Sequence, residues 1–296
     1  MTDFTGTTDF VPRLTHRRNP PNEYLHPGGL RLGRLPRRSK LSALLLSHFL
    51  KPTGTPPILS TFWNGRAGFP LLTYGNTTVG DCTIASQAQA ALRFERIEQR
   101  RTTTIAEEEP VRVYTALSDR LYGGGDNGAY EGDALDNWRD PALTFKDYRG
   151  RALTIDAYLR INVSDQDELR WALATAGEHG IKACLNLPWA FASITPPAVW
   201  DIPEGQALTG DWLPGSWGGH SMFWRDYNEV GPWVVHTWGL PDQQISWAAV
   251  AAYCDEAHLV VDSFDYWRTK KPEAVKGLNL HAVKRAVNKV SRVLIA

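Results

Sequence analysis

A turn-rich run that passes directly into an amphipathic helix at Cys82 restricts the fold of this chain more than any other feature. The run Asn76–Asp81 is polar and contains a glycine. Apolar residues then recur at Ile84, Ala88, Leu92 and, less regularly, Ile97. This spacing predicts one face of a helix, and Asp81 is a favourable N-cap residue for it.

Cys82 is therefore predicted at the positive end of a helix. The helix dipole and the free backbone N–H groups at such an end favour thiolate over thiol and lower the pKa of a cysteine. A thiolate is the nucleophilic form, so this position suits a catalytic nucleophile. The alternative is that Cys82 is a small buried apolar residue, as many free cysteines are.

The cysteine count and the apolar runs indicate the class of protein. The chain has three cysteines (Cys82, Cys184 and Cys254), an odd and low number that argues against a disulfide framework. No apolar run reaches the roughly 18 residues that a membrane span requires. The N-terminus lacks the charged region and apolar core of a secretory signal, so a soluble protein of the reducing cytoplasm is predicted.

The formal net charge of zero conceals basic ends on an acidic body. Residues 1–51 carry nine Lys and Arg against three acids, and residues 268–296 carry eight against one, which leaves −13 for the middle. The ends are predicted to contact an acidic partner or the body itself, or else to be solvated. No nucleic-acid recognition motif accompanies them, so nucleic acid is not expected as a partner.

The order of predicted elements indicates an α+β domain of two lobes, helical first and β-rich second. Residues 1–51 form an extended arm because proline and glycine interrupt them, residues 52–267 form the domain with lobes at about 75–150 and 151–267, and residues 268–296 form a basic amphipathic tail. The predicted helices are Leu41–Leu50, Cys82–Gln99, Glu109–Leu121, Ala134–Trp138, Leu169–Ala176, Ile245–Tyr253 and Leu278–Val293. The predicted strands are Tyr158–Val163, Ile181–Leu187, Ser221–Tyr227, Trp233–Trp238 and His258–Asp262.

Two histidines complete a possible catalytic constellation with Cys82. His220 follows two glycines at the start of a strand, and His236 lies at the end of the next strand. A hairpin would bring them together, and thiol hydrolysis needs a base and a group that orients it. His220 could instead be an ordinary strand histidine, and zinc could be held by Cys82, His220, His236 and perhaps His258, although tight ligand spacing is absent.

The loop Tyr122–Asp133 is rich in glycine and carboxylates, which suits a sharp turn where backbone approaches another group closely. The carboxylates raise the possibility of calcium, but the alternation of ligands in an EF-hand loop is missing. No metal and no cofactor is predicted.

These motifs together resemble the papain-like cysteine peptidase fold over roughly residues 75–262. The whole chain, including Leu32–Pro36 and Tyr253–Ala257, looks like uncharacterised papain-like proteins of bacteria and phages. The motifs that carry the resemblance are Asn76 with Gly80-Asp81-Cys82, the loop Asn127-Gly128-Ala129, the helix and strand within Asp167–Leu187, Gly219-His220-Ser221-Met222, and Thr237-Trp238-Gly239.

The resemblance implies roles for particular residues. Cys82 would be the nucleophile, His220 its base, and Asn76, six residues before the nucleophile, part of the oxyanion hole. His236 stands where these peptidases carry asparagine, and would be the third group. Asn127, Gly128, Gly219 and Trp238 would line the substrate cleft.

The implied activity is that of a thiol hydrolase, a peptidase or amidase acting on a peptide or another amide. The competing hypothesis is a catalytically weak or inactive protein of the same fold, for example a phage virion component that docks on neighbours through residues 1–51 and 268–296. The replaced third group and the basic ends motivate this alternative.

Overall fold

The computed structural model describes residues 30–37, 44–57, 71–99, 102–176, 179–235, 237–264 and 277–295. Within these ranges the chain is a mixed α+β fold. The helices are α1 (Cys82–Gln99), α2 (Glu108–Tyr122), α3 (Glu131–Arg139), α4 (Gln166–Ala176), α5 (Trp247–Tyr253) and α6 (Leu280–Ile295). The strands are β1 (Ala157–Ile161), β2 (Ile181–Leu187), β3 (Gly218–Tyr227), β4 (Pro232–Val234), β5 (Gln243–Gln244) and β6 (Cys254–Val261).

The strands form one antiparallel sheet of six, in the order β1-β6-β2-β3-β4-β5. Strand β2 is almost continuously buried, because it pairs with a strand on each edge and both of its faces are covered. Its run of apolar residues predicted this burial. The register sets Cys184 opposite Ser221 and Leu185 opposite His220, so the start of β3 lies deep in the molecule.

The helical lobe packs around α1, which begins and ends where its apolar period predicted. Ile84 and Ala88 are fully buried, and Phe94 stacks on Trp138 of α3 at 6.0 Å between ring centroids. Phe94 also meets Phe223 of β3 edge-on at 6.2 Å. Helix α1 therefore lies against the sheet, which brings its first residue next to β3.

Strand β6 begins at Cys254, where the strand was predicted from His258, and α3 spans Glu131–Arg139, where Ala134–Trp138 was predicted. Two other predicted elements differ in their end or in their type. The second strand of the hairpin ends at Val234 instead of Trp238, and Thr237–Gly239 form a short 3-10 turn in which Trp238 has φ 52°. The chain turns back towards β3 at this point. Where Leu41–Leu50 was predicted as a helix, the structure has only a 3-10 turn at Leu46–His48, and residues 38–43 lie outside the described ranges.

The basic C-terminal helix forms as predicted and packs on the β-rich lobe through Val283 and Val287. Across the described ranges there is no helix with the length and apolar character that a membrane crossing requires. The predicted division into arm, domain and tail remains a prediction.

Candidate active site

Cys82 lies where the start of α1 meets β3, the strand that carries His220. Cys82 is the first residue of α1 and is 1% exposed, and the backbone N–H of Ser221 donates to its Sγ at 3.4 Å. Ser221 directly follows His220 on β3. The helical lobe thus supplies the sulfur and the β-rich lobe the imidazole.

The ring of His220 is held on one edge and on one face. Its Nε2 lies 2.6 Å from Oγ1 of Thr237, and the ring stacks on Trp238 at 4.1 Å between centroids. Its Nδ1 is buried without a hydrogen-bond partner among the residues that the structure describes. Nδ1 is therefore the ring nitrogen that these contacts leave unused.

The structure shows a contact to His220 that sequence reasoning did not assign. His236 lies outside the described ranges, so its predicted role stays a prediction. Thr237, the next residue, contacts Nε2 directly. Sequence reasoning used Thr237 only as part of a motif, although a hydroxyl at this position could have indicated a hydrogen-bond partner for His220.

Asn76 is buried near the start of α1, and its side-chain amide lies 3.4 Å from the carbonyl oxygens of Arg31 and Val79. The backbone N–H of Cys82 has no intrahelical acceptor, because it belongs to the first turn of a helix. Asn76 is the side chain that the resemblance implied for an oxyanion hole.

The predicted cleft residues have different environments. Trp238 donates its indole N–H to the carbonyl of Arg31 at 2.7 Å, and Gly219 accepts the N–H of Arg34 at 3.1 Å. The N–H of Gly128 donates to the hydroxyl of Tyr114. Asn127 is exposed, and its side chain bonds to its own loop.

Residues 30–37, which we call the arm segment, occupy the groove between the lobes. The N–H of Ala129 donates to Gly33 O at 2.7 Å, and the N–H of Leu35 donates to Ala129 O at 2.9 Å. Arg34 and Ala129 therefore form a parallel bridge. The arm segment bonds to both walls of the groove and covers Cys82.

Glycines make this close approach possible. A Cβ added at Gly33 would lie 1.6 Å from the carbonyl oxygen of Gly80, which is backbone and cannot move aside. A Cβ at Gly128 would lie 2.2 Å from Gly33 O, and one at Gly219 would lie 2.4 Å from Arg34 O. The room that the sequence predicted for a substrate backbone beside Gly219 is filled by the chain's own arm segment.

Burial controls the protonation of both candidate catalytic groups. It raises the pKa of Cys82 to about 12, although the N–H groups of Ser221 and Gly33 and the charge of Lys182 act in the opposite direction. It lowers the pKa of His220 well below its ordinary value, and Lys182 lowers it further. The expected thiolate is therefore absent from this closed form, because burial outweighs the helix N-terminus.

A buried polar network lies beside the sulfur. The ammonium of Lys182 on β2 lies 3.5 Å from the carboxylate of Glu131 on α3, and both side chains are fully buried. Ser221 joins them: its hydroxyl accepts from Lys182 at 2.7 Å and donates to Glu131 at 2.6 Å. The network connects the lobes at the residue that also bonds to Cys82.

No group of three or more His, Cys, Asp or Glu side chains suited to a metal ion occurs in the described part of the chain. Asp126, in the glycine-rich loop considered for calcium, accepts from the N–H of Gly80 and from Tyr114, both at 2.8 Å. His258, considered for zinc, lies 3.8 Å from Glu256. Both side chains thus have other protein groups as neighbours.

Comparison with known proteins agrees with this architecture. No model of a known protein family matches the sequence, and no curated protein matches it. Xylellain, a cysteine protease from Xylella fastidiosa, matches in structure with a TM-score of 0.56 and 16% identity over 79% of this chain and 97% of that chain. Digestive procathepsin L 3 of Tenebrio molitor larval midgut matches with a TM-score of 0.47 and 15% identity over 80% and 77%.

A two-lobed α+β fold, with a cysteine as the first residue of α1 against the strand that carries a histidine, defines the class. The fold is that of the papain-like cysteine peptidases. At these identities the likeness shows the fold alone.

Proposed function

We propose that this chain is a papain-like thiol hydrolase, a peptidase or amidase, and that the structure shows its closed form. The observation that carries the proposal is the 3.4 Å contact from the N–H of Ser221 to Cys82 Sγ, because Ser221 directly follows His220 on β3. The matching fold belongs to xylellain, a cysteine protease, which supports the same chemistry here.

In the proposed reaction, Nδ1 of His220 accepts the thiol proton as Cys82 Sγ attacks the amide carbonyl carbon. The new S–C bond pushes electrons onto the carbonyl oxygen, where Asn76 and the Cys82 N–H donate to the oxyanion. His220 then returns the proton to the leaving amine as the C–N bond breaks. Water, deprotonated by His220, hydrolyses the thioester and restores the thiol.

Thr237 would hold the imidazole in position through its contact with Nε2, and Trp238 would shield the ring by stacking on it. His236 in place of the usual asparagine stays part of the proposal as a further group near this edge. Because the ring nitrogens differ in their partners, Nδ1 is left for the proton transfer.

The arm segment must leave before any substrate enters. Gly33 turns its carbonyl to Ala129 and its N–H towards the sulfur, so the arm does not offer this carbonyl for attack. Hydration of the opened groove removes the burial that raises the pKa of Cys82. The closed form is thus a latent form in this proposal.

The same closure favours a second candidate, a binding protein whose groove serves only to hold the arm segment. That candidate predicts no hydrolysis even when the groove is open. The test is turnover of a mixed fluorogenic peptide library by Gly33→Ala, in which the added Cβ meets Gly80 backbone.

Hydrolysis by Gly33→Ala that disappears in Gly33→Ala/Cys82→Ala would support the hydrolase. Absence of hydrolysis in Gly33→Ala, with Cys82 shown by alkylation to be accessible, would reject the hydrolase and favour the binding protein.

A further inference from the structure

A charged side chain of the arm segment is completely buried one residue after Gly33, whose N–H faces Cys82. The guanidinium of Arg34 has no exposed surface, and its Nη1 lies 2.8 Å from Asp255 and its Nη2 3.0 Å from Glu256. Nη1 also donates to the side-chain oxygen of Asn186 at 3.3 Å. We call Asn186, Asp255 and Glu256 the acidic pocket.

The acidic pocket belongs to the body of the protein. Asn186 lies near the end of β2, and Asp255 and Glu256 lie at the start of β6, which pairs with β2. The sheet therefore holds all three acceptors whether or not the arm segment is bound. Two carboxylates so close together, one of them 8% exposed, require a cation for compensation.

The arrangement of the acceptors suits a guanidinium better than an ammonium. Asp255 and Glu256 each bond to a different terminal nitrogen of Arg34, so the two acceptors match the planar fork of arginine. An ammonium carries its donors on one nitrogen and could not reach both carboxylates with the same geometry.

The acidic pocket lies one residue away from the candidate point of reaction. The N–H of Gly33 faces Cys82 Sγ, and the next residue, Arg34, bonds through its N–H to Gly219 on β3. A substrate backbone that follows the same groove would carry a side chain into the acidic pocket from the residue adjacent to the one at the sulfur.

We propose that the acidic pocket of Asn186, Asp255 and Glu256 selects an arginine side chain in the peptide substrate, and that Arg34 occupies it in the closed form. The binding claim stands on the pocket alone, whereas selectivity in turnover rests on the proposed hydrolase function.

Binding is tested with the full chain carrying Gly33→Ala and Arg34→Gln. The first substitution displaces the arm segment by a steric clash, and the second removes the charge that competes for the acidic pocket. The probe is a fluorescein-labelled peptide copy of residues 30–37, compared with a copy that carries citrulline, an uncharged isostere, in place of Arg34. We expect the arginine peptide to bind about tenfold more tightly or better in fluorescence anisotropy, because hydrogen bonds to charged groups are the strong ones.

The chain offers matched controls for both partners. Citrulline in place of Arg31, whose side chain is 31% exposed, should change affinity less than twofold. Glu256→Gln should abolish the preference for arginine over citrulline. If Glu256→Gln does not fold, Asp255→Asn takes its place and should reduce the preference. Glu204→Gln, at an exposed site outside the pocket, should leave the preference unchanged. Equal affinities of the arginine and citrulline peptides would overturn the inference.

Turnover separates this inference from the proposed function. Paired internally quenched peptide substrates carry arginine or citrulline on either side of the residue at the scissile carbonyl and are given to the same chain. Arginine-selective binding without turnover of either substrate contradicts the hydrolase and keeps the pocket. Turnover of both substrates at the same rate contradicts the pocket and keeps the hydrolase.

Discussion

A single glycine of the arm segment decides whether the groove is closed. Gly33 passes so near Gly80 that a Cβ added to Gly33 would lie 1.6 Å from the carbonyl oxygen of Gly80, which is a steric clash. Gly33→Ala should therefore displace the arm segment and raise the rate of Cys82 alkylation by iodoacetamide about tenfold or more over wild type. Peptide mapping by mass spectrometry measures this rate.

Cys184 and Cys254 serve as internal references, because they are buried in the sheet away from the arm backbone. Gly150→Ala is the matched control, since its φ of 78° is also positive but an added Cβ meets nothing within 4 Å. A Cys82 rate in Gly33→Ala no faster than in Gly150→Ala would contradict the closure by the arm segment.

Thr237 is the residue through which the orientation of the imidazole can be tested. Thr237→Val keeps the shape but removes the hydroxyl 2.6 Å from Nε2 of His220, so the ring loses its partner. In the Gly33→Ala background we expect Thr237→Val to lower kcat about tenfold, which corresponds to the free energy of one hydrogen bond. Thr237→Ser keeps the hydroxyl and should restore kcat. An unchanged kcat and pH profile in Thr237→Val would remove Thr237 from the mechanism.

At the scale of the elements, the ion pair of Lys182 and Glu131 joins β2 to α3 beside the nucleophile. Lys182→Met should lower the free energy of unfolding by about 3 kcal/mol or more, because it leaves a buried carboxylate without compensation. The double variant Lys182→Met/Glu131→Gln should recover most of this loss. Urea denaturation followed by circular dichroism measures the wild type, Lys182→Met, Glu131→Gln and the double variant.

If the two single losses simply add in the double variant, the residues are not coupled and the network does not connect the lobes. Arg112→Met, at an exposed pair with Glu109, is the control and should change the free energy of unfolding by less than about 1 kcal/mol.

Elements with a strong local period were predictable from the sequence. Helix α1 and strand β2 have the predicted bounds, because the apolar spacing of α1 and the continuous apolar run of β2 need no distant information. The end of β4 was not predictable. Trp238 leaves the strand with φ 52°, a conformation that its residue type does not signal and that packing on His220 supports.

The candidate site was predictable in its chemistry and not in its state. The order and spacing of Cys82 and His220 indicated the pair, and the glycine before His220 indicated room for a backbone. That the arm segment fills this room depends on contacts more than 90 residues apart in sequence, such as Arg34 with Gly219. The raised pKa of Cys82 follows from that burial, which local reasoning about the helix N-terminus did not include.

At the scale of the molecule, the charge asymmetry has a structural counterpart. The sequence left open whether the basic arm contacts a partner or the body, and within the described residues Arg31 and Arg34 pair with acids of the body. Contacts of residues 268–296 with other proteins remain a prediction.

The buried thiols should make the free energy of unfolding of the whole molecule fall at alkaline pH. Burial raises the pKa of Cys82 and Cys254 to about 12 and that of Cys184 well above its ordinary value of 9.0. The folded chain keeps these protons above pH 9 while the unfolded chain releases them. The contribution is fully present below about pH 9 and is lost as pH rises towards 12, by roughly 1 kcal/mol per thiol per pH unit.

Urea unfolding at pH 8 and pH 10 measures this loss, and Cys184→Ala should reduce the difference by about a third, since one of three thiols is removed. A free energy of unfolding that is the same at the two pH values would contradict the burial of the thiols.

The measurement that tests the central claim most directly is the rate of Cys82 alkylation at pH 7 in Gly33→Ala compared with Gly33→Ala/His220→Gln. If the imidazole lies beside the sulfur and accepts its proton, loss of His220 slows alkylation about tenfold or more. Equal rates in the two variants would show that His220 does not act on the sulfur, and would contradict the account.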